Sequence, residues 1–240
     1  MIALVEEYLL TGGYPAQVLN PIGGALAGIM AGAAACDIST LHDLRKPYLL
    51  KNILRCLASA AGSRVSFRQL AGTLRLSTDA VGDCMGFLEE AWLVKSLEKW
   101  TGRRAKRVHV SKRISFGDNG IRTVMTGAEE MATRAEAVFL EVRQSGIPCG
   151  YDGDNGGEVD FVLGSRARPL PVDVRYEASL DGELRRYDGL RLFIHRFPQA
   201  RKAVVITRNA EEIIQINHTK VRAIPLWKFL WNGLTIWRCL

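Results

Sequence analysis

The chain has 240 residues, of which 48% are hydrophobic and 24% are charged. This composition excludes an intrinsically disordered chain and provides enough apolar material for two modest cores or one large core. The longest apolar stretch, residues 22–36, is shorter than the roughly 20 residues that a membrane-spanning helix needs, and the first charged residues are Glu6 and Glu7 rather than the basic residues of a secretory signal. We therefore expect a cytoplasmic protein with no membrane partner.

Neither the cysteines nor the histidines are spaced as metal or redox sites. The five cysteines are widely separated and form no C-x-x-C pair, and the four histidines are scattered along the chain. Gly23 and Gly28 have the spacing of the glycines in a phosphate-binding P-loop. Ile29 and Met30, however, stand where that motif requires a lysine and a hydroxyl residue. We expect no bound nucleotide.

The N-terminal part of the chain predicts helices. Residues 2–10 have helical periodicity, Gly12 and Gly13 interrupt it, and a run rich in glycine and alanine follows. Residues 1–45 are therefore interpreted as a helical N-terminal segment.

Residues 46–115 predict a winged helix-turn-helix. Helical periodicity predicts three helices, over residues 48–60, 67–74 and 77–90. One extended segment predicts a short strand over residues 64–66. Ser77 or Thr78 can cap the last of these helices by accepting a hydrogen bond from a free backbone N–H. Two short helices joined by a tight turn are typical of a helix-turn-helix, in which the second helix reads DNA.

The predicted wing carries the whole net charge of the chain. Strand-like segments at residues 92–97 and 107–110 flank a turn at residues 101–104. Residues 95–113 contain eight basic residues against one acid, Glu98, and this excess equals the formal net charge of +7. Such a hairpin can lie along the phosphates of double-stranded DNA, which is the expected partner. The contacts are expected from a wing basic cluster, Arg103, Arg104, Lys106 and Arg107, and from Lys112 and Arg113.

The predicted recognition helix argues against base-specific reading. Its outward residues include Asp79 and Asp83, and carboxylates repel phosphates. A winged helix used for contacts with another protein is therefore the alternative.

A group of carboxylates lies on two predicted neighbouring strands. Alternating apolar residues predict these strands over residues 157–163 and 169–176. Antiparallel pairing about the turn between them places Asp160 opposite Asp173, and the same register places Glu158 opposite Arg175. Two opposed carboxylates repel each other unless a cation or a shared proton lies between them, and oxygen ligands favour Mg²⁺ or Mn²⁺. The alternative is an ordinary Glu158–Arg175 ion pair with both aspartates in solvent.

Short motifs in a fixed order cover nearly the whole chain. They include YLLTGGYP at residues 8–15, LAS with Gly62 and Ser66, LA at residues 70–71, Ser77, Val81, LE at residues 88–89, LV at residues 93–94, FGDNGI at residues 116–121, EVDFV at residues 158–162 and IPLWKFL at residues 224–230. In this order and spacing they resemble the C-terminal half of a large archaeal and bacterial family of AAA-type ATPases. In that family a P-loop ATPase domain precedes a winged helix and a PD-(D/E)XK nuclease-like domain.

The resemblance implies a mixed α/β (α+β) fold and a set of site residues. Residues 116–240 would form the nuclease-like domain. Metal ligands would be Asp160, Asp173 and the Val174 carbonyl, with Arg175 at the position of the motif lysine. The remaining catalytic acids would be Glu136 on the preceding helix, with Glu141 as its alternative, and Glu158.

Two functions follow as alternatives. One is a DNA-binding protein with a metal-dependent endonuclease site, weakened because Arg175 stands in place of lysine and cannot supply the same compact charge. The other is a catalytically inactive DNA- or protein-interaction module that once served an ATPase or still serves one as a separately encoded chain. The ATPase domain of the family is not in this sequence, which is either a truncated relative or a fragment that begins where the ATPase ends.

Overall fold

A computed structural model describes residues 1–20, 24–32, 48–60, 63–100, 111–126, 132–154, 157–176 and 187–233. The chain forms two compact units. The helical unit comprises Glu6–Leu97 and Val110–Glu136, and the sheet unit comprises Met1–Val5, Glu98–His109 and Ala137–Leu240. This division differs from the expected boundaries after residues 45 and 115, because the N-terminal helices and residues 116–136 belong to the unit that contains the helix-turn-helix.

The helical unit has the element order of a winged helix-turn-helix preceded by helices. Its described elements are α1 (Ile2–Thr11), whose first residues belong to the sheet unit, α2 (Pro15–Leu19), α3 (Ala25–Gly32), α4 (Tyr48–Ser59), β1 (Arg64–Val65), α5 (Phe67–Leu74), α6 (Thr78–Glu90), β2 (Val94–Leu97), β3 (Lys112–Phe116) and α7 (Asn119–Thr126). The three strands form an antiparallel sheet in the order β1-β3-β2. Ser77 caps α6 by accepting a hydrogen bond from the Ala80 N–H at 3.1 Å. The predicted helices and the short strand are confirmed.

The wing is described only at its base. Strand β2 pairs with β3 from Val94 opposite Phe116 to Leu97 opposite Arg113. The predicted turn at residues 101–104, the predicted strand at residues 107–110 and the whole wing basic cluster lie outside the described residues.

One apolar core explains why residues 116–126 join the helical unit. The side chains of Phe116 and Ile121 are fully buried in the same cluster as Leu50 of α4 and Val81 of α6. A boundary at residue 115 would cut through this core, because α7 follows β3 directly and packs against α4 and α3.

The sheet unit is a mixed α/β structure, as the sequence predicts. Its elements are α8 (Ala132–Gln144), whose first residues belong to the helical unit, β4 (Cys149–Asp154), β5 (Gly157–Ser165), β6 (Arg168–Val174), α9 (Asp188–Arg196), β7 (Lys202–Thr207), β8 (Ile213–Ile216), β9 (Thr219–Pro225) and α10 (Leu226–Asn232). The sheet order is β4-β5-β6-β7-β9-β8, and β7 is parallel to both of its neighbours. Strand β7 is buried from Ala203 to Thr207, as is typical of a strand covered on both faces.

Residues 98–100, near the start of the predicted basic segment, are built into the sheet unit. The Trp100 N–H donates to the Tyr151 carbonyl at 2.7 Å, and the Tyr151 N–H donates to the Glu98 carbonyl at 3.0 Å. The Trp100 indole packs on Phe193 and Phe197. Residues 98–100 are therefore held in the sheet unit by hydrogen bonds and aromatic packing. Among the described residues we find no helix with the length and apolar character that a membrane span requires.

Candidate functional site

The strands that carry the carboxylates pair in the predicted register. Strand β5 runs antiparallel to β6 from Ser165 opposite Arg168 to Phe161 opposite Val172. Asp160 and Asp173 are the next residues along the two strands in this register. The Arg166-Ala167 turn fixes the register, because a shift of one residue would turn every buried side chain of both strands to the other face.

Asp160 and Asp173 meet at the end of the β5–β6 ladder. Asp160 Oδ2 accepts a hydrogen bond from the Val174 N–H at 2.8 Å. Asp173 is 1% exposed, and its carboxyl is hydrogen-bonded to that of Asp160. Burial, and then the charge of Asp160, raise the pKa of Asp173 to about 8. Without a metal ion, a proton on Asp173 therefore relieves the repulsion that the sequence predicts.

Arg175 pairs with the buried Asp173, so the alternative of a Glu158–Arg175 ion pair with both aspartates in solvent is wrong. Arg175 Nε donates to Asp173 Oδ2 at 2.9 Å, and the Arg175 side chain is 38% exposed. Residues two apart on a strand share a face, which brings this guanidinium to the buried aspartate on its own strand. Burial opposes the Arg175 charge, but Asp173 and, to a lesser extent, Asp160 and Tyr187 raise its pKa.

Glu158 lies two residues before Asp160 on β5. It is opposite Gly153 on β4, and its backbone lies so close to Gly189 of α9 that a Cβ at position 189 would stand 2.2 Å from the Glu158 carbonyl oxygen. Glycine at position 189 is thus required for α9 to approach β5. The structure gives Glu158 a packing role through its backbone.

The two glutamates proposed for the helix before the sheet lie in different units. Glu136 is 3% exposed in the helical unit, where burial raises its pKa to about 7 although the Arg122 charge opposes the rise. Glu141 lies in the sheet unit, where burial raises its pKa. Within the described residues, no group of three or more His, Cys, Asp or Glu side chains is arranged to hold a metal ion.

Two further features of the sheet unit were missed from the sequence. Tyr187, 5% exposed at the start of α9, acts electrostatically on Arg175. Asp152 on β4 is 3% exposed and forms an ion pair with Arg196 at the end of α9. No local spacing could have found these pairs, because their members are brought together only by the packing of α9 on the sheet.

The motifs around Gly12 and Asp118 form one structural clamp in the helical unit. Asp118 Oδ2 accepts a hydrogen bond from the Gly13 N–H, and Oδ1 accepts one from the Gly120 N–H, each at 2.7 Å. Gly12 has a φ of +76°, and a Cβ there would lie 1.8 Å from Asp118 Oδ1. Burial raises the pKa of Asp118 despite these hydrogen bonds. The two motifs therefore fix the N-terminal helices rather than a ligand.

Three described members of the basic segment, Lys95, Lys112 and Arg113, lie at the base of the wing, and a fourth, Lys99, forms a bridge with Tyr151 in the sheet unit. Lys95 Nζ stands 4.3 Å from the centroid of the Trp92 ring, and Lys112 Nζ stands 5.4 Å from that of the Phe67 ring. Arg113 on β3 lies directly opposite Arg64 on β1. Arg64 was not predicted from the sequence as part of a basic surface.

Comparison with known proteins gives one family. The sequence profile of a family described as a domain of unknown function (DUF8612) matches residues 2–132, which is more than half of the chain. Neither the curated proteins nor the solved structures include a match to this sequence. The matched residues contain the helix-turn-helix and the clamp of Gly12, Gly13 and Asp118. The chain belongs to the DUF8612 family.

Proposed function

We propose that the protein binds DNA and that its sheet unit carries a divalent cation site on Asp160 and Asp173, related to that of PD-(D/E)XK metal-dependent nucleases. The observation that carries the proposal is the contact between these two carboxyl groups, one of them fully buried, at the end of the β5–β6 ladder. Acidic side chains are rarely buried unless a cation, a proton or a basic partner offsets their charge.

The donor set fits Mg²⁺ or Mn²⁺. These hard cations take carboxylate oxygens, and Mg²⁺ commonly uses one or two protein carboxylates and keeps several waters, so a third acidic side chain is not required. Asp160 and Asp173 would hold the ion. When bound, it would supply an acidified water and offset negative charge on a phosphate.

The basic residues of the helical unit support DNA as the partner. Lys112 and Arg113 lie on β3, the strand that follows the wing, and the wing basic cluster precedes them in the sequence. Lysine and arginine side chains bind the phosphate backbone without reading base sequence. Asp79 and Asp83 on the candidate recognition helix are both exposed, and their carboxylates would repel phosphates. Binding through the phosphate backbone at the wing, with little sequence preference, is therefore expected.

A catalytically inactive interaction module, which works with a separate ATPase chain, is the second candidate. The hydrogen bond between Arg175 Nε and Asp173 Oδ2 favours it. A guanidinium that binds the buried carboxylate already offsets its charge, and it competes with a cation for the same oxygen.

Replacing Arg175 by lysine separates the two candidates. Lysine is shorter and has no Nε, so the Asp173 carboxylate loses its present partner while one positive charge is kept. We expect Arg175→Lys to raise Mn²⁺-dependent nicking of plasmid DNA by roughly a hundredfold, the usual size of one positioned charge.

The control is the double variant Arg175→Lys with Asp173→Asn, which removes the proposed metal ligand. Its nicking rate measures any contaminating nuclease. If Arg175→Lys cuts no faster than this control, the nuclease proposal is abandoned and the interaction module remains.

A further inference from the structure

A groove in the helical unit is used neither by the wing nor by the carboxylate pair. It lies between α4, β1 and α5 and has a volume of about 410 Å³, within the range of roughly 300–1,000 Å³ that small-molecule sites occupy. All of its lining residues come from positions 55–73 and belong to one unit. This stretch of chain is separate from the glycines of the rejected P-loop.

The lining of the groove is basic and polar on one part and apolar on the other. Arg55 and Arg64 supply two guanidinium groups, and no acidic side chain is among the lining residues. Ser66 precedes α5 and makes no capping hydrogen bond, so its hydroxyl is available as a donor. Val65 and Leu70 are buried and form apolar surface beside these groups.

The surroundings of the groove carry an excess of positive charge. Residues 48–77 contain five basic residues and no acid. Arg64 lies directly opposite Arg113 across the β1–β3 ladder.

We propose that this groove binds a phosphorylated ligand of nucleotide size. Arginine is the side chain best suited to bidentate phosphate recognition, and two arginines line this groove. The volume exceeds that of a phosphate group alone, and the apolar surface of Val65 and Leu70 accommodates the sugar or base attached to it. A free nucleotide and one nucleotide unit of a nucleic acid strand present this same chemistry.

The free thiol of Cys56 lines the groove, so its reactivity reports whether the groove is occupied. A ligand in the groove covers this half-buried thiol and slows its alkylation by N-ethylmaleimide, which peptide mass spectrometry measures separately for each cysteine. AMP, a short single-stranded DNA and inorganic phosphate are the probes, at constant ionic strength in the full chain. We expect AMP or the DNA to protect Cys56 and phosphate to protect it less.

Variants test whether the arginines bind the ligand. Arg55→Ala and Arg64→Ala should each raise the ligand concentration for half-protection about tenfold, the usual effect of losing one charged hydrogen bond. Arg68→Ala is the matched control, because this exposed arginine lies on α5 but does not line the groove. Its protection should match that of the wild type. Circular dichroism establishes that each variant is folded.

The result also distinguishes the source of the phosphate. Stronger protection by DNA identifies a nucleic acid strand, and equal or stronger protection by AMP identifies a free nucleotide. Absence of protection by all three probes, or equal protection of wild type and both arginine variants, overturns the proposal. Asp160→Asn should not alter protection, so failure of the carboxylate site and failure of the groove give different results.

Discussion

Replacing Asp173 by asparagine tests the physical state of the buried carboxyl. Its pKa of about 8 in the folded protein lies far above the ordinary value of 3.8. Between these two values the folded state holds a proton that the unfolded state has lost. The stability contributed by Asp173 therefore falls as pH rises through this window, by about 1.4 kcal/mol per pH unit. Asparagine does not titrate, so the Asp173→Asn variant does not lose stability through this site as pH rises.

The expected magnitude follows from the two pKa values. From about pH 5.5 to about pH 7.5, both inside the window, the wild type should lose about 3 kcal/mol relative to Asp173→Asn. Glu136, Glu141 and Asp118 also have raised pKa values, but they are present in both proteins and cancel in the difference.

Hydrogen exchange measures this difference in the sheet unit alone. Peptides covering β6 and β7 report local stability, and comparing the two proteins at the same pH in metal-free buffer cancels the intrinsic pH dependence of exchange. Asp160→Asn is the matched control, because removing the Asp160 charge should shrink the pH-dependent loss. An equal stability difference between wild type and Asp173→Asn at both pH values would refute the reasoning.

The other predictions concern the helical unit. Gly12→Ala should lower its free energy of unfolding by about 2–4 kcal/mol, because alanine is strained at a positive φ and its Cβ would displace Asp118 from its hydrogen bonds. Gly13→Ala is the control, since a Cβ there meets only ordinary contacts; equal losses in urea unfolding would contradict the clamp. Contact with about four phosphates should give duplex DNA binding a slope near −3.6 for log affinity against log salt concentration, and alanine at the four positions of the wing basic cluster should flatten this slope. An unchanged slope would remove the wing from the interface.

The sequence predicted features that depend on neighbours along the chain. Helical periodicity identified α4, α5 and α6, and Ser77 was one of the two capping residues expected for α6. The β5–β6 register was also predicted, because it follows from a short turn and the alternation of apolar residues. These are local rules, so the single sequence was sufficient.

Features that depend on distant contacts were not predicted. The Asp118 carboxylate and the Gly13 N–H are 105 residues apart in sequence, and nothing local links them. The alternative pairing of Arg175 with Glu158 was left open, because the sequence does not show that Asp173, two residues away on the same strand, is buried beside the guanidinium. The basic segment was treated as one hairpin, but Trp100 packs in the sheet unit because an aromatic cluster there buries its indole.

Calorimetric titration of Mn²⁺ into the full chain tests the central claim, that Asp160 and Asp173 form a divalent cation site. We predict one bound ion per chain in the wild type and at least about tenfold weaker binding in Asp160→Asn and in Asp173→Asn, since each removes one charged ligand. Glu158→Gln is the matched control, because it removes an acid two residues before Asp160 on the same strand while both proposed ligands are kept, and it should bind as the wild type does. Wild-type affinity in Asp160→Asn, or an equal loss in Glu158→Gln, would contradict the account.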